Sequence, residues 1–255
     1  MCEVLAIANQ KGGVGKTTTA VNLAASLAVA EQRVLLIDMD AQANATSGLG
    51  RAPSTVERGT YEVLLGECSL RDVLLETELP SLMLAPTTPD LAAIEIELAD
   101  AEDRAIRLRG AVDTIREDFD YIIIDCPPSL GILTLNALTA ADAVLVPMQC
   151  EYYALEGLSR LNGTIERVRS ALNERLHVTG VLLTMYDPRS NLAREVADEV
   201  RRHFHVFDTV IPRNVRLAEA PSHGKPAILY DASSRGSHGY LSLARELLVA
   251  AAAAA

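Results

Sequence analysis

Short apolar runs alternate along the chain with stretches in which apolar residues recur at the spacing of a helix face. After the first run, Ala20, Leu23, Ala24, Leu27 and Ala28 repeat at intervals of three and four positions, which is the pattern of an amphipathic helix. The runs, which we predict to be strands, are residues 4–8, 34–37, 82–85, 121–124, 143–146, 178–184 and 209–211. Strands that alternate with helices predict an α/β fold: a doubly wound, mostly parallel sheet with helices on both faces.

The composition fits this architecture. Apolar residues make up 49 % of the 255 residues, aromatic residues only 4 %, and the sequence has no Trp. A core of Ala, Val, Leu and Ile is typical of parallel strands covered by helices. No internal repeat or low-complexity linker divides the chain. We therefore expect residues 1–250 to form a single domain and the polyalanine end, residues 251–255, to be frayed or disordered.

The charge of the chain narrows the choice of partners. Taken alone, a net charge of −11 argues against a nucleic-acid-binding protein, but the distribution of the charge matters more. The charge is unevenly distributed, since residues 1–150 carry 10 Lys/Arg and 22 Asp/Glu, whereas residues 151–255 carry 13 and 12. The two halves are therefore expected to present different faces to different partners.

The cysteines and the hydropathy of the chain indicate a cytoplasmic protein. Cys2, Cys68, Cys126 and Cys150 show no metal-binding or paired spacing, which favours reduced thiols. No apolar run reaches the roughly 18–20 residues of a membrane span, and no signal-peptide pattern is present. We expect a cytoplasmic location without stable membrane association.

The first predicted strand runs into a glycine-rich turn that a helix follows at once. Strand, turn and helix in this order are the context that a phosphate-binding loop (P-loop) needs. Backbone N–H groups of the turn can surround an anion, and the helix N-terminus adds a partial positive charge. Lys16 would reach the β- and γ-phosphates, and the Thr17 hydroxyl would bind Mg²⁺. The residues expected to bind MgATP are Lys11, Gly12, Gly13, Val14, Gly15, Lys16, Thr17 and Thr18.

One departure from the common phosphate-loop pattern lies at the entrance of the turn. The pattern G-x-x-x-x-G-K-[ST] places glycine at position 10, where this chain has Gln10 followed by Lys11. Lys11 adds a second cation five residues before Lys16. From the residues alone, Lys11 is either solvated or in contact with phosphate, in its own site or in that of a neighbouring molecule.

Acidic residues follow two of the predicted strands. The strand over 34–37 ends in Asp38-Met-Asp40, and the strand over 121–124 ends in Asp125. Residues just beyond the carboxyl ends of parallel strands project into the crevice where ligands bind. Asp125 fits an aspartate that holds Mg²⁺, although a strand-end aspartate can also cap a helix. Asp38 and Asp40 alternate, so they would point to opposite faces of a continuing strand and have distinct roles.

Together these segments resemble the deviant Walker motifs of the ParA/Soj family of chromosome- and plasmid-partitioning ATPases. The resemblance covers nearly the whole chain, and two C-terminal segments make it more specific than the phosphate loop alone. The matching segments are Lys11-Gly-Gly-Val-Gly-Lys16-Thr-Thr18, Asp38-Met-Asp40-Ala-Gln42-Ala-Asn44, Asp125-Cys-Pro-Pro-Ser129, Ile211-Pro-Arg-Asn-Val-Arg216 and Glu219-Ala-Pro-Ser-His-Gly-Lys-Pro226.

This resemblance implies a function and a set of partners. A ParA/Soj-like chain would be a P-loop ATPase that hydrolyses ATP slowly and forms a sandwich homodimer with MgATP. The ATP-bound dimer would bind double-stranded DNA without sequence preference and associate with the nucleoid. A ParB/Spo0J-like centromere-binding protein would stimulate hydrolysis and release of the DNA, which would make the chain a DNA-segregation switch.

The resemblance also implies roles for individual residues. Lys11 matches the lysine that reaches the nucleotide of the partner subunit, and Asp40 matches the acid that orients the attacking water. With Lys16, these are the residues expected to be catalytic. The residues implied near Mg²⁺ are Thr17, Asp38 and Asp125, and those implied along the adenine are Pro212, Arg213 and Asn214.

The residues expected to bind DNA are basic and lie in the less acidic half of the chain. Arg189 and Arg216 match DNA-binding positions of the family, and Lys225 and Arg235 lie on predicted loops or loop edges. Phosphate contacts from Arg and Lys give sequence-independent, salt-sensitive binding, and a dimer doubles their number. A solvated basic face is the alternative.

An acidic segment offers a surface for the implied partner. The carboxylates between residues 95 and 120 are Glu95, Glu97, Asp100, Glu102, Asp103, Asp113, Glu117, Asp118 and Asp120. An acidic helix face there would attract the basic N-terminal segment of a ParB/Spo0J-like protein, although a charge run is more commonly a solvated face.

The same Walker motifs also occur in other classes of ATPase. A MinD-like membrane-associated positioning protein would end in a basic amphipathic helix, but residues 241–249 carry Arg245 as their only cation. An iron–sulfur carrier would need two cysteines that face the dimer axis, and nothing in the sequence brings Cys126 and Cys150 together. A metabolic enzyme would need a substrate pocket, for which the sequence offers no base beyond the phosphate site.

Overall fold

Eight strands form one sheet in residues 2–254, the part of the chain that the computed structural model describes. The strands are β1 (Glu3–Ile7), β2 (Val34–Asp38), β3 (Leu75–Glu76), β4 (Leu82–Ala85), β5 (Tyr121–Asp125), β6 (Ala143–Gln149), β7 (His177–Tyr186) and β8 (Val206–Pro212). Their order is β3-β4-β2-β5-β1-β6-β7-β8, and every neighbouring pair is parallel except β3 with β4. The predicted mostly parallel sheet is confirmed, and the pattern missed only β3, which has two residues.

Helices connect the strands. Over the described residues they are α1 (Lys16–Val29), α2 (Asn44–Gly48), α3 (Thr60–Leu65), α4 (Ile94–Glu97), α5 (Arg107–Asp113), α6 (Ile132–Ala140), α7 (Ala154–Ala171), α8 (Asn191–Arg201), α9 (Val215–Glu219), α10 (Ala227–Tyr230) and α11 (Arg235–Ala254). α11 continues through Ala254, where a frayed end was predicted, because alanine has the highest helix propensity; Ala255 lies outside the described residues. No helix in this range is long and apolar enough to cross a membrane.

Alternate residues of the central strands pack on opposite faces of the sheet. In β1, Val4 and Ala6 belong to one buried cluster, and Leu5 and Ile7 belong to the other, as the two-residue period of a strand requires. Residues of α3 to α8 complete the first cluster, and residues of α1 and α11 complete the second. Because helices cover both faces, the strands appear in the sequence as continuous apolar runs.

The order of the strands reverses around β1. From β1 the chain passes to β2 on one side, and from β5 it crosses to β6 on the other side. The crevice at the carboxyl ends of strands beside such a switch point is where open α/β sheets bind ligands. The predicted phosphate loop follows β1 and therefore lies at this crevice.

Two glycines bring distant loops into backbone contact beside the crevice. Gly50, just after α2, and Gly224, just before Lys225, have φ values of 80° and 63°. A β-carbon added to Gly224 would lie 2.7 Å from the Cα of Gly50. Glycine at both positions therefore permits an approach that no other residue allows.

Candidate active site

The turn between β1 and α1 has the backbone of an anion-binding loop. Gly13 and Gly15 have left-handed φ values of 74° and 87°, which glycine adopts without strain. Gly15 precedes Lys16, the first helical residue, and no side chain among the described residues caps this end of α1. The first N–H groups of the helix therefore remain available to a ligand.

Side chains from neighbouring strands hold this loop in place. Asn9 Nδ2 donates to the carbonyl of Pro147 at 2.8 Å, and Asn9 Oδ1 accepts from the N–H of Lys11 at 3.0 Å. Thr184 Oγ1 donates to the carbonyl of Val14 at 2.8 Å. Sequence analysis did not identify Asn9 or Thr184. The one signal they carry is a polar residue at the carboxyl end of an apolar strand.

Lys16 is buried beneath the loop, with 7 % of its surface exposed. Its ammonium group donates to the carbonyl of Lys11 at 3.2 Å. Burial lowers the pKa of Lys16, and the negative charge of Asp125 acts in the opposite direction. An ammonium group has three donors, so Lys16 keeps hydrogen-bonding capacity for an anion in the loop.

Lys11 lies at the entrance of the loop and is bound to another part of the same chain. Its Nζ forms an ion pair with Glu151, in the segment between β6 and α7, and the two side chains are 41 % and 53 % exposed. Within one copy of the chain, Lys11 is thus paired with a carboxylate, Glu151, that no sequence motif predicts at this position.

Two buried carboxylates stand side by side behind the loop. Asp38 and Asp125 are register partners on β2 and β5, and both are fully buried. Residues two positions earlier in each strand, Leu36 and Ile123, pack with α1, so both carboxylates lie on the α1 side of the sheet. Burial raises the pKa of Asp38 to about 6. Burial, with the charge of Asp38, raises the pKa of Asp125 well above its ordinary range.

The two carboxylates differ in their hydrogen bonds. Asp38 Oδ2 accepts from the N–H and the hydroxyl of Thr46 at 2.8 and 2.7 Å, and Asp38 Oδ1 accepts from the N–H of Asp40 at 3.2 Å. Both oxygens of Asp125 are buried without a hydrogen-bond partner among the described residues. Such a group is costly unless a cation or donor reaches it. Asp125 therefore fits a cation, whereas Asp38 holds the start of α2.

This arrangement suits Mg²⁺ in particular. Magnesium is usually held by one or two carboxylates, together with phosphate oxygens and waters, rather than by a full set of protein ligands. No group of three or more His, Cys, Asp or Glu side chains that could hold a metal is found among residues 2–254. Asp125 and the hydroxyl of Thr17, which lines the adjoining cavity, match the smaller set that magnesium needs.

A cavity of about 370 Å³ opens over the phosphate loop. Asp40 is half-buried at its edge and accepts a hydrogen bond from the N–H of Gln42 at 3.0 Å. β2 ends at Asp38, so the strand does not continue to Asp40, and the alternation expected for a continuing strand does not apply. The lining residues are Gly12, Gly13, Gly15, Lys16, Thr17, Thr18, Asp40, Gln42, Asn44, Pro128 and Met185.

A second cavity, of about 200 Å³, adjoins the first and shares Gly15, Thr18 and Met185 with it. The three residues predicted along the adenine line this second cavity: Pro212, Arg213 and Asn214. The remaining lining is mainly apolar and includes Ile211, Leu217 and Tyr240. A flat, largely apolar purine ring attached to a triphosphate would span the two cavities in this order.

Met185 stands where the two cavities meet, and sequence analysis missed it. Its φ of 49° places it in the left-handed region, which is costly for a residue with a long side chain. Gln149 Nε2 donates to Met185 Sδ at 2.7 Å and to the carbonyl of Gly13 at 3.3 Å. Strained residues of this kind cluster at ligand sites, and the sequence carries no sign of a backbone angle.

Two of the predicted DNA-binding arginines, Arg189 and Arg216, are bound to carboxylates. Arg189 is 89 % exposed and contacts Asp187 through two N–O pairs at 3.0 and 2.9 Å, and its guanidinium lowers the pKa of Asp187 to about 2. Arg216 contacts Glu219 at 2.8 Å and Asp231 at 3.1 Å. The charge of both arginines is thus balanced within the chain.

The structure brings only some of the predicted basic residues together. Arg189 and Arg216 follow β7 and β8, neighbouring strands paired through Tyr186 and Pro212, so they lie at one edge of the sheet. Arg235 is exposed at the start of α11, which contacts α9. Lys225 instead binds Glu78 at 3.0 Å, on the side of the contact between Gly50 and Gly224.

The acidic segment is not one helix face. The structure divides it between α4, α5 and a 3-10 turn at Arg116–Asp118. Several of its carboxylates form ion pairs within the chain: Asp103 with Arg107, Asp118 with Arg71 and Asp120 with Arg33. Glu95 and Glu97 remain exposed on α4, and the carboxyl group of Glu95 packs against Gly131 in the loop that follows Asp125.

The cysteines do not form a cluster site. Cys126 is fully buried in the hydrophobic core, where burial raises the pKa of its thiol. Cys150 lies at the end of β6 and is only partly buried. A cysteine inside the core cannot reach a cluster on a dimer axis, which disfavours the iron–sulfur alternative.

Comparisons with known proteins agree with this site. A family described as an AAA domain matches residues 2–178. The chromosome partitioning protein ParA of Myxococcus xanthus is 56 % identical over 247 residues, which are 96 % of this chain and 87 % of that protein. The chromosome-partitioning ATPase Soj of Thermus thermophilus is 52 % identical over 246 residues, 96 % of this chain and 94 % of that protein. The structure of cobyrinic acid a,c-diamide synthase from Mycobacterium smegmatis with bound ADP and magnesium has a TM-score of 0.86 and 38 % identity, covering 97 % of this chain and 94 % of that chain.

Proposed function

Because the chain belongs to the ParA/Soj family of chromosome-partitioning ATPases, we propose that it is a DNA-segregation switch controlled by the state of its nucleotide. With MgATP the chain pairs as a sandwich homodimer and binds double-stranded DNA without sequence preference. A ParB/Spo0J-like protein then accelerates hydrolysis and the DNA is released. The observation that carries this proposal is the continuous crevice of two cavities, with buried Lys16 and Asp125 beneath it and basic residues beside it.

The cofactors are ATP and Mg²⁺, and each part of the crevice has a role in holding them. The N–H groups of the loop and the Lys16 ammonium bind the β- and γ-phosphates. Pro212, Arg213 and Asn214 line the adenine. Thr17 and Asp125 hold Mg²⁺, which when bound supplies charge neutralisation at the phosphate oxygens, and Asp38 keeps the adjoining loop in position through Thr46.

Hydrolysis depends on Asp40 and on a second copy of the chain. Asp40 lies at the open side of the phosphate cavity, where its carboxylate can orient a water toward the γ-phosphate. Lys11, once released from Glu151, reaches the nucleotide of the partner. Among the residues that the structure describes, the crevice of one copy supplies Lys16 but no further cation aimed at the transferred phosphate, so unaided turnover is slow.

The DNA surface lies at the carboxyl ends of β7 and β8. Arg189, Arg216 and Arg235 supply phosphate contacts there, and Lys225 extends the surface toward Gly224. Binding requires Arg189 and Arg216 to exchange a carboxylate of the chain for a DNA phosphate. Each such exchange adds little binding free energy, so one subunit binds DNA weakly. Two subunits that present the surface together bind DNA more tightly. Because the subunits pair with ATP, DNA binding and nucleoid association depend on the ATP state.

The partner is expected to act through α4. The exposed Glu95 and Glu97 attract a basic segment, and Glu95 already packs against the loop that follows Asp125. Reversing the charge of both residues should lower partner-stimulated turnover while leaving the basal rate within about twofold. Stimulation equal to that of the unaltered chain would remove α4 from this role.

One experiment tests the switch as a whole. Gel filtration and binding to a fluorescent DNA duplex are measured with MgADP and with a non-hydrolysable ATP analogue. We expect a monomer that binds DNA weakly with ADP, and a dimer whose DNA affinity is at least tenfold higher with the analogue. Equal DNA affinity in both nucleotide states would contradict the proposal. Binding to liposomes only with the analogue would favour a MinD-like function.

A further inference from the structure

Two adjacent aromatic side chains stand in solvent between β6 and α7. Tyr152 is 75 % exposed and Tyr153 is 72 % exposed. Their rings meet edge to face, with centroids 5.1 Å apart and planes at 88°. The chain has only seven Tyr, three Phe and no Trp, and these are the two aromatic rings among the exposed large hydrophobic side chains of the described residues. Exposed apolar surface of this kind marks an interaction site.

Local structure does not account for tyrosine at these positions. Tyr153 is the N-cap residue of α7 and provides no side-chain cap. Serine, threonine, aspartate or asparagine would stabilise the start of a helix far better. Both rings also leave apolar surface in water that burial elsewhere in the fold would have removed. Their placement is therefore explained by a contact outside this chain.

The pair lies on the same surface as the entrance of the phosphate loop. The preceding residue, Glu151, forms the ion pair with Lys11. β6, which leads into this segment, is the neighbour of β1. On the other side of β1, the loop that follows β5 exposes 41 % of Leu130. Apolar side chains thus flank the nucleotide entrance on both sides.

The charges of this surface restrict what can cover it. The carboxylates next to the two tyrosines are balanced, because Glu151 pairs with Lys11 and Glu156 pairs with Arg160. The patch therefore has little net charge to attract DNA phosphates or lipid head groups, and little to repel an identical copy. A two-fold interface requires the same patch on both partners. Two tyrosine rings, which offer edges, faces and hydroxyl groups, can pack against a copy of themselves.

We propose that Tyr152 and Tyr153, with Leu130 across the loop, form the apolar anchor through which a second copy of this chain sits over the nucleotide entrance. This inference rests on the proposed function, because it assigns residues to the ATP-dependent homodimer. It also gives a reason for the Lys11–Glu151 pair beside the rings: the contact that buries the rings would bring the partner's nucleotide next to this pair, where Lys11 could leave Glu151 for the nucleotide.

The test measures dimerisation of the full chain with magnesium and a non-hydrolysable ATP analogue by sedimentation velocity. Replacing Tyr152 and Tyr153 by Ser removes four rings from each dimer, so the dimer dissociation constant should rise about a hundredfold. Replacing both by Phe keeps the rings and should change it by less than about threefold. Leu192→Ser with Val249→Ser, which removes exposed apolar side chains elsewhere, is the matched control.

Binding of a fluorescent ATP analogue to the monomer shows that the Ser variant still folds and forms its crevice, and it should stay within about twofold of the unaltered chain. If the unaltered chain dimerises and the Ser variant dimerises equally well, this anchor is wrong while the proposed function stands. If the unaltered chain stays monomeric with the analogue, the proposed homodimer fails first. Dimerisation lost to the same extent in the Leu192/Val249 control would also overturn the assignment.

Discussion

The nucleotide crevice and the basic surface lie at the same edge of the sheet but are built in opposite ways. In the crevice, Lys16 and Asp125 are buried, and the oxygens of Asp125 have no partner among the described residues. On the surface, Arg189 and Arg216 are exposed and already bound to carboxylates. The crevice is thus prepared for its ligand at a cost in stability, whereas the surface must give up existing ion pairs to bind DNA. The five predictions below test this contrast.

The largest effect is expected from Lys16→Ala. The variant loses the buried ammonium group that faces the loop, so affinity for MgATP should fall more than about a hundredfold. Isothermal titration calorimetry of the monomer measures the affinity for MgATP. Lys11→Ala is the control, because Lys11 is paired with Glu151 in one copy of the chain. This variant should bind MgATP as a monomer with an affinity within about threefold of the unaltered chain. Retained affinity in Lys16→Ala would refute the role of the loop.

Asp40→Ala should stop hydrolysis while leaving the crevice able to bind nucleotide. Loss of a group that orients or deprotonates water lowers turnover by about a hundredfold, so an ATP-bound dimer should accumulate. Phosphate release and gel filtration with ATP measure the two consequences. Asp100→Ala, which removes an exposed carboxylate outside the crevice, should keep turnover. A monomeric Asp40→Ala protein with ATP would argue against this role.

On the basic surface, Arg189→Glu combined with Arg216→Glu should lower DNA affinity about thirtyfold at moderate salt and flatten its salt dependence. Dimerisation with the ATP analogue should persist. Fluorescence anisotropy with a DNA duplex, over a series of salt concentrations, provides the measurement. Arg167→Glu with Arg169→Glu makes the same change in charge on α7. If the two double variants weaken binding equally, net charge and not this surface controls DNA affinity.

Asp125→Asn should make the nucleotide-free protein more stable, since it removes a buried, unpaired negative charge. The raised pKa of Asp125 means that the folded state binds the proton more tightly than the unfolded state. The free energy of unfolding should therefore fall as the pH rises from about 4, the ordinary pKa of aspartate, through the raised pKa. The free energy of unfolding of the variant should exceed that of the unaltered chain by about 1–2 kcal/mol at pH 8 and by less at pH 6.

Urea denaturation at the two pH values, without magnesium or nucleotide, measures this difference. The comparison of the pH dependence between variant and unaltered chain isolates Asp125 from the other titrating groups. A variant that is destabilised at both pH values would show that Asp125 is satisfied in the folded protein, and the contrast between crevice and surface would then lose its main support.

The smallest effect is expected from Asp187→Asn, which frees Arg189 from its ion pair. Exposed ion pairs contribute little, so DNA affinity in the ATP state should rise only about twofold to threefold. Asp198→Asn removes a carboxylate paired with Arg201 on α8 and controls for the change in net charge. A rise of the same size in both variants would mean that the Asp187–Arg189 pair does not restrain DNA binding.

The features that could be predicted from the sequence are those formed by residues close together in the chain. The strands are visible because helices cover both faces of the sheet, and the phosphate loop because its residues are consecutive. Asn9 and Thr184 were missed, since they act on partners 138 and 170 residues away in the chain. The left-handed angle of Met185 leaves no mark in the sequence. The ion pair of Lys225 with Glu78 likewise depends on which loops the fold brings together.

The contact between Gly50 and Gly224 connects a loop beside the nucleotide crevice with the loop that carries Lys225. Gly50 lies shortly after α2, in the segment that follows Asp38 and Asp40, and Gly224 directly precedes Lys225, one of the predicted DNA-binding residues. No side chain lies between the two backbones, so no change of rotamer can absorb a displacement of either loop. A movement of the loop that follows Asp40 would thus press directly on the backbone next to Lys225.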